Sequence, residues 1–147
     1  MSSPVAGIVL AAGASKRFGR NKLLLPWEGE SLARRAARVA LEAGLDPVVV
    51  VLGHEAERVA RELEGVAVRT VVNPAHAKGI NTSLAAGAAA LPAEAAAAVV
   101  LLADMPRVTA EMVARLVQTF RETGAPLVAS EYAGVRAPPT LYARGLF

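Results

Sequence analysis

The chain contains no cysteine, so disulfides and thiolate metal sites are excluded. That absence fits a reducing compartment, and we expect a cytoplasmic protein. Aromatic residues make up only 4% of the sequence. No stacking platform of the kind used by single-strand binders is visible, so no nucleic-acid partner is expected. Long apolar runs are also missing. Val48–Leu52 and Ala95–Ala103 fall well short of the roughly 20 residues that cross a bilayer, so no membrane partner is expected. The opening MSSPVAG lacks a basic region, an apolar stretch and a cleavage site, and reads as no signal peptide. Two nucleotide motifs are absent as well. Gly13 and Gly19 are six apart with Arg20 following, which is no P-loop, and no G-x-G-x-x-G occurs.

What is present is an uneven charge on an alanine-rich chain. The 147 residues suit one domain, and 54% are hydrophobic, much of that alanine, which favours helices. Residues 1–39 carry a balance of +5 and the remainder −2. Four cations, Lys16, Arg17, Arg20 and Lys22, crowd into seven residues directly after an apolar segment. Leu23, Leu24 and Leu25 follow and would pin that loop to the core. A loop so charged and so anchored suits a small anionic ligand.

The pattern alternates between strand and helix. Val5–Ala11, Pro47–Leu52, Val66–Val72, Val99–Ala103 and Pro126–Ser130 read as strands. Ser31–Ala43, Glu55–Glu64, Thr82–Leu91 and Ala110–Glu122 read as helices, the first capped by Ser31 and the last by Thr109. Such alternation predicts an α/β fold: a mostly parallel sheet between helical layers. Ligands of these sheets bind outside the carboxyl ends of the strands. Three segments fall there: Ala12–Pro26, Asn73–Asn81 and Asp104–Val108. Gly13 lets backbone N–H groups approach a phosphate, and Arg17 and Lys22 can pair with its oxygens. Asp104 is placed to hold Mg²⁺, which favours one or two carboxylates plus substrate phosphates. Asn81, Thr82 and Ser83 offer hydrogen bonds near a helix start. Each segment also has a plainer reading: a solvated basic loop, a turn residue, a helix cap. His54 and His76 read as surface residues, and Arg34, Arg35 and Arg38 as a solvated helix face.

The stretch LAAGASKRFGRNKLL, Leu10–Leu24, resembles the signature of the MobA-like nucleotidyltransferases. The likeness continues through NPAHAKGINTSL, residues 73–84, and LADMP, residues 102–106. It implies a Rossmann-like three-layer fold and transfer of a nucleotidyl group from an NTP to a phosphorylated acceptor, with release of pyrophosphate. Ala11-Ala12-Gly13 is similar to the cytidylyl enzymes of molybdenum cofactor biosynthesis, which implies CTP as donor and a pterin acceptor. The resemblance implies catalytic roles for Lys22, Arg17 and Asp104, with Asp104 holding Mg²⁺. It implies nucleotide contacts from Leu10, Ala11, Ala12, Gly13, Ser15, Lys22, Asn73, Gly79 and Ser83. The alternatives are a sugar-phosphate nucleotidyltransferase and a non-catalytic nucleotide-binding protein. The family's C-terminal Gly-Asp pair has no counterpart here, and AGVRAPPTLY, residues 133–142, matches its acceptor segment only loosely. We therefore expect a domain incomplete at the C-terminus. Leu141, Tyr142, Leu146 and Phe147 should then self-associate or meet a missing part of a longer protein.

Overall fold

A computed structural model describes residues 3–13 and 22–147. Strand β1 (Val5–Ala11) is buried along its whole length, as is β4 (Val48–Leu52). A parallel strand covered on both faces must be apolar at every position, which is why these two segments do not alternate. Between them run a two-residue ribbon, β2 (Pro26–Trp27) with β3 (Glu30–Ser31), and helix α1 (Leu32–Glu42). The Ser31 side chain accepts from the Arg34 N–H and caps α1. Helix α2 (Ala56–Glu62), β5 (Arg69–Val72), α3 (Ile80–Ala89), β6 (Ala97–Leu102) and α4 (Ala110–Thr123) follow. Thr109 caps α4 by accepting from the Met112 N–H. The chain then forms β7 (Leu127–Tyr132) and β8 (Val135–Ala143).

The main sheet has six strands in the order β5-β4-β1-β6-β8-β7. The first four are parallel; β8 runs antiparallel to β6, and β7 antiparallel to β8. Alternate side chains divide the core into two layers. Val9, Val50 and Val99 face α1, α2 and α4, with Ala37, Val59 and Val113 packed against them. Ile8, Val49 and Val100 face α3, where Leu84 and Ala86 close the opposite layer. The fold is thus the expected three-layer α/β arrangement. Among the described residues no helix is long and apolar enough to cross a membrane.

Register brings the strand ends together. Ala11 lies beside Leu52, Leu10 beside Leu102, and Leu52 beside Val72. The segments following β1, β4, β5 and β6 therefore emerge at one rim. The chain leaves β1 for β4 and β5 on one side and returns to β6 on the other, so the order reverses at β1. The crevice outside that reversal is where ligands of such sheets sit.

The sequence pattern assigns no element to residues 135–143; they form the longest strand described, and β8 lies between β6 and β7, which leaves β7 at the edge of the sheet. Leu141 is fully buried and Tyr142 packs beside the α3 layer, whereas Leu146 and Phe147 stay about half exposed. Pro138 and Pro139 sit at a register shift opposite Ala129 and Ser130, and the Ser130 hydroxyl donates to the Pro139 carbonyl. Prolines supply no N–H, and a bulge is where a strand tolerates them.

Candidate functional site

A cavity of about 270 Å³ opens at the rim between β1 and β6. Its floor is Leu10, Ala12 and Leu102, the ends of the two strands. Lys22 and Asp104 face each other across one side, with Nζ 3.6 Å from Oδ2 and both side chains roughly half exposed. Lys22 opens a short 3₁₀ turn, Lys22–Leu24, whose Leu23 is buried among core side chains. The leucines thus hold the end of the basic loop, chiefly through Leu23. Arg17 and Ser15 lie outside the described residues, as do Lys16 and Arg20.

The opposite wall is the start of α3. Gly79, with φ of 121°, turns the chain into the helix in a conformation that suits glycine. Among the described residues no side chain caps α3; the Thr82 N–H is taken by the Gly79 carbonyl at 3.2 Å, which leaves those of Ile80 and Asn81 as donors, and Gly79, Ile80 and Ser83 border the cavity. Asn73 does not border it. The side chain of Asn73 is buried, donating to Thr82 Oγ1 and Ser83 Oγ at 2.9 Å each and accepting from the Ala75 N–H. Asn73 therefore ties the loop 73–83 together and sets Ser83, in place of a direct contact. Ala11, expected among the nucleotide contacts, is also buried away from the cavity.

The structure adds His76, which sequence reasoning read as surface. Its ring lies 6.4 Å from that of His54, and its Cβ rests over Gly53. A Cβ on Gly53 would come within 2.7 Å of the His76 side chain and 2.8 Å of the Ala12 carbonyl. Only a glycine allows β1, β4 and the His76 loop to converge so closely. The two histidines are 22 residues apart, and parallel register alone unites them, so no local motif betrays the pair. Among the described residues no three of His, Cys, Asp and Glu come together as a metal site. A divalent cation on Asp104 would take its other ligands from substrate phosphates and water, which is how Mg²⁺ is usually held.

The arginines of α1 are a second correction. They are not a solvated face but three clamps. Arg34 donates to the Glu62 and Glu64 carbonyls at the end of α2. Arg35 Nε donates to the Pro106 carbonyl at 2.6 Å, which pins the loop carrying Asp104. Arg38 pairs in a fork with Glu30 and holds the β2–β3 ribbon against α1. Hydrogen bonding from Arg38 keeps the Glu30 carboxyl below its ordinary range and pushes the Arg38 guanidinium up.

The sequence profile of the MobA-like NTP transferase domain matches residues 7–147. The chain belongs to that family. Among curated relatives of this MobA-like chain is the nicotine blue oxidoreductase of Paenarthrobacter nicotinovorans, 39% identical over 118 residues. That match covers 80% of this chain and 57% of the relative. A probable molybdenum cofactor guanylyltransferase of Opitutus terrae is 41% identical over 109 residues, covering 74% of this chain and 52% of the relative. The MobA-like chain therefore matches a little over half the length of these two proteins. The crystal structure of Rv0371c from Mycobacterium tuberculosis H37Rv superposes with a TM-score of 0.85 at 26% identity, over all of this chain and 75% of that one.

Proposed function

We propose that this MobA-like domain binds an NTP in the cavity between β1 and β6 and transfers its nucleotidyl group to a phosphorylated acceptor. The observation that carries this reading is Lys22 facing Asp104 at the strand reversal, beside the uncapped start of α3. Opposite charges on either side of one cavity suit a polyphosphate and its cation. Lys22, with Arg17 from the basic loop, offsets negative charge as it moves onto the departing pyrophosphate. Asp104 would hold Mg²⁺, which would supply Lewis-acid chemistry that offsets the negative charge of the phosphates. The start of α3 borders the same cavity, and a helix N-terminus favours an anion. Leu10, Ala12 and Gly13 border the cavity and let a ligand approach the backbone, and the Ser83 hydroxyl, set by Asn73, supplies a directed hydrogen bond. An acceptor phosphate is already anionic, so attack on the α-phosphorus needs orientation more than a general base.

The donor we propose is CTP, from the Ala11-Ala12-Gly13 signature, and the acceptor a phosphorylated pterin. The Opitutus relative is named a guanylyltransferase, so GTP is the competing donor. The test is thermal-shift titration of the chain with CTP, GTP, UTP and ATP, each with Mg²⁺. A ligand at 100 times its dissociation constant stabilises by about 2.7 kcal/mol, a plainly readable shift. Stabilisation by CTP alone supports the reading; a larger shift with GTP moves the donor; none with any NTP sinks it. Pyrophosphate release on adding acceptor then separates transfer from binding alone.

A further inference from the structure

We propose that the Lys22–Asp104 ion pair balances the β1–β6 cavity against either ligand alone, so that a polyphosphate and a divalent cation bind as a couple; this rests on the transferase reading above and adds how that site is regulated. Lys22 Nζ stands 3.6 Å from Asp104 Oδ2. Among the described residues that border the cavity, Asp104 is the one carboxylate and Lys22 the one lysine or arginine, and their charges cancel. No three of His, Cys, Asp and Glu gather nearby to strengthen a cation site, again among the described residues. A dication on Asp104 therefore meets the Lys22 ammonium as a like charge. A polyphosphate meets the reverse: it gains Lys22 and faces the Asp104 carboxylate. One unit charge about 4 Å away, even at the dielectric constant of water, changes an affinity about fivefold.

The two ligands together remove both conflicts. Lys22 turns to the phosphates and Asp104 to the cation, so each charge exchanges one partner for another and neither faces its own sign. Coupling of this kind is reciprocal: whatever the cation gains from the polyphosphate, the polyphosphate gains from the cation. The structure also says which partner moves. Leu23 is buried, and the Lys22 carbonyl accepts from the Leu25 N–H at 3.0 Å, so the backbone under Lys22 is fixed while its four-carbon stem pivots. Asp104 has a short stem in a turn where the Met105 N–H donates to the Leu102 carbonyl, and Arg35 grips the Pro106 carbonyl two residues on. The carboxylate is thus the fixed member and the lysine the movable one. Both side chains are roughly half exposed, and a pair so exposed opens at little cost.

The experiment uses Mn²⁺ as the cation and inorganic tripolyphosphate as the polyphosphate, so that no base and no acceptor enters. Free Mn²⁺ is read by electron paramagnetic resonance and tripolyphosphate binding by calorimetry in metal-free buffer. Lys22→Met should bind Mn²⁺ alone about fivefold more tightly than the unaltered chain. Asp104→Asn should bind tripolyphosphate alone about fivefold more tightly. With the Mn²⁺–tripolyphosphate complex both signs invert, and either substitution should weaken binding at least about fivefold. Residues that only touched their own ligands would give no gain in any arm. Arg115→Met, on the outer face of α4, controls for net charge and should leave Mn²⁺ binding unchanged. Thermal melting of each variant checks that it folds. No gain for Mn²⁺ on Lys22→Met, no gain for tripolyphosphate on Asp104→Asn, or an equal Mn²⁺ gain on Arg115→Met overturns the proposal. The NTP shift of the unaltered chain is measured beside it: its absence overturns the transferase reading, while the Mn²⁺ and tripolyphosphate arms still judge the ion pair.

Discussion

The two cavities flanking the Asp104 turn are opposites. One is bordered by Lys22, His76, Ser83 and Asp104 and stands over the ends of parallel strands. The other is bordered by Trp27, Met105, Met112 and Tyr132, drawn from the ribbon, the loop, α4 and the antiparallel end of the sheet. The parallel half of the fold supplies charge and helix-start donors, and the antiparallel half supplies flat apolar faces. A single loop, 104–108, is the partition.

Removing the partition's charge should have the largest effect. Asp104→Asn is expected to lower pyrophosphate release about 10³-fold with little loss of stability, since its side chain is 44% exposed. Near-normal release would take Asp104 out of the site. Lys22→Met removes the cation facing Asp104, and about a 10²-fold loss in turnover is expected with the melting temperature little changed; near-normal turnover would take Lys22 out of the site. Gly53→Ala forces a Cβ into His76 and the Ala12 carbonyl; overpacking of this kind costs about 1–3 kcal/mol, read as a lower midpoint in urea. Arg35→Ala frees the partition itself. Losing a charged hydrogen bond to the Pro106 carbonyl should cost about 1.5 kcal/mol and weaken NTP binding. The smallest effect belongs to Glu30. Its carboxyl is held below the ordinary value by Arg38, so the pair stabilises the fold above pH of about 4.3 and ceases to as the pH falls through the lowered value. Arg38 is partly exposed, so the gain is about 0.5 kcal/mol. Glu30→Gln should lower the melting temperature slightly at neutral pH, and the difference should vanish in acid.

The same contrast explains what the sequence revealed. β1, β4 and the capped helices α1 and α4 were legible, because buried parallel strands are apolar throughout and Ser31 and Thr109 mark helix starts by themselves. Gly13 and Asp104 stood out because each follows an apolar run where this fold opens, and Lys22 because it closes a basic loop ahead of Leu23–Leu25. In the antiparallel half only β7 was legible, as Pro126–Ser130. Pro138 and Pro139 disguised β8 as a loop, and the ribbon carrying Trp27 has only two residues per strand. His76 and the arginine clamps depend on partners distant in the chain, such as Arg35 on Pro106, 71 residues away. Asn73 was noticed as polar, but only its burial shows that it holds the loop.

The placement of β8 between β6 and β7 also has a bearing on how the protein is made. During synthesis the residues of β6, 97–102, leave the ribosome before residues 135–143 do, and can pair with β1 first. Until they do, the outer edge of β6 offers unpaired N–H and carbonyl groups to any neighbouring chain. β7 cannot shield it, because β7 joins the sheet only through β8. The β7–β8 hairpin must arrive as a unit, and a pause in translation before it emerges is the interval in which the nascent chain is most prone to aggregate.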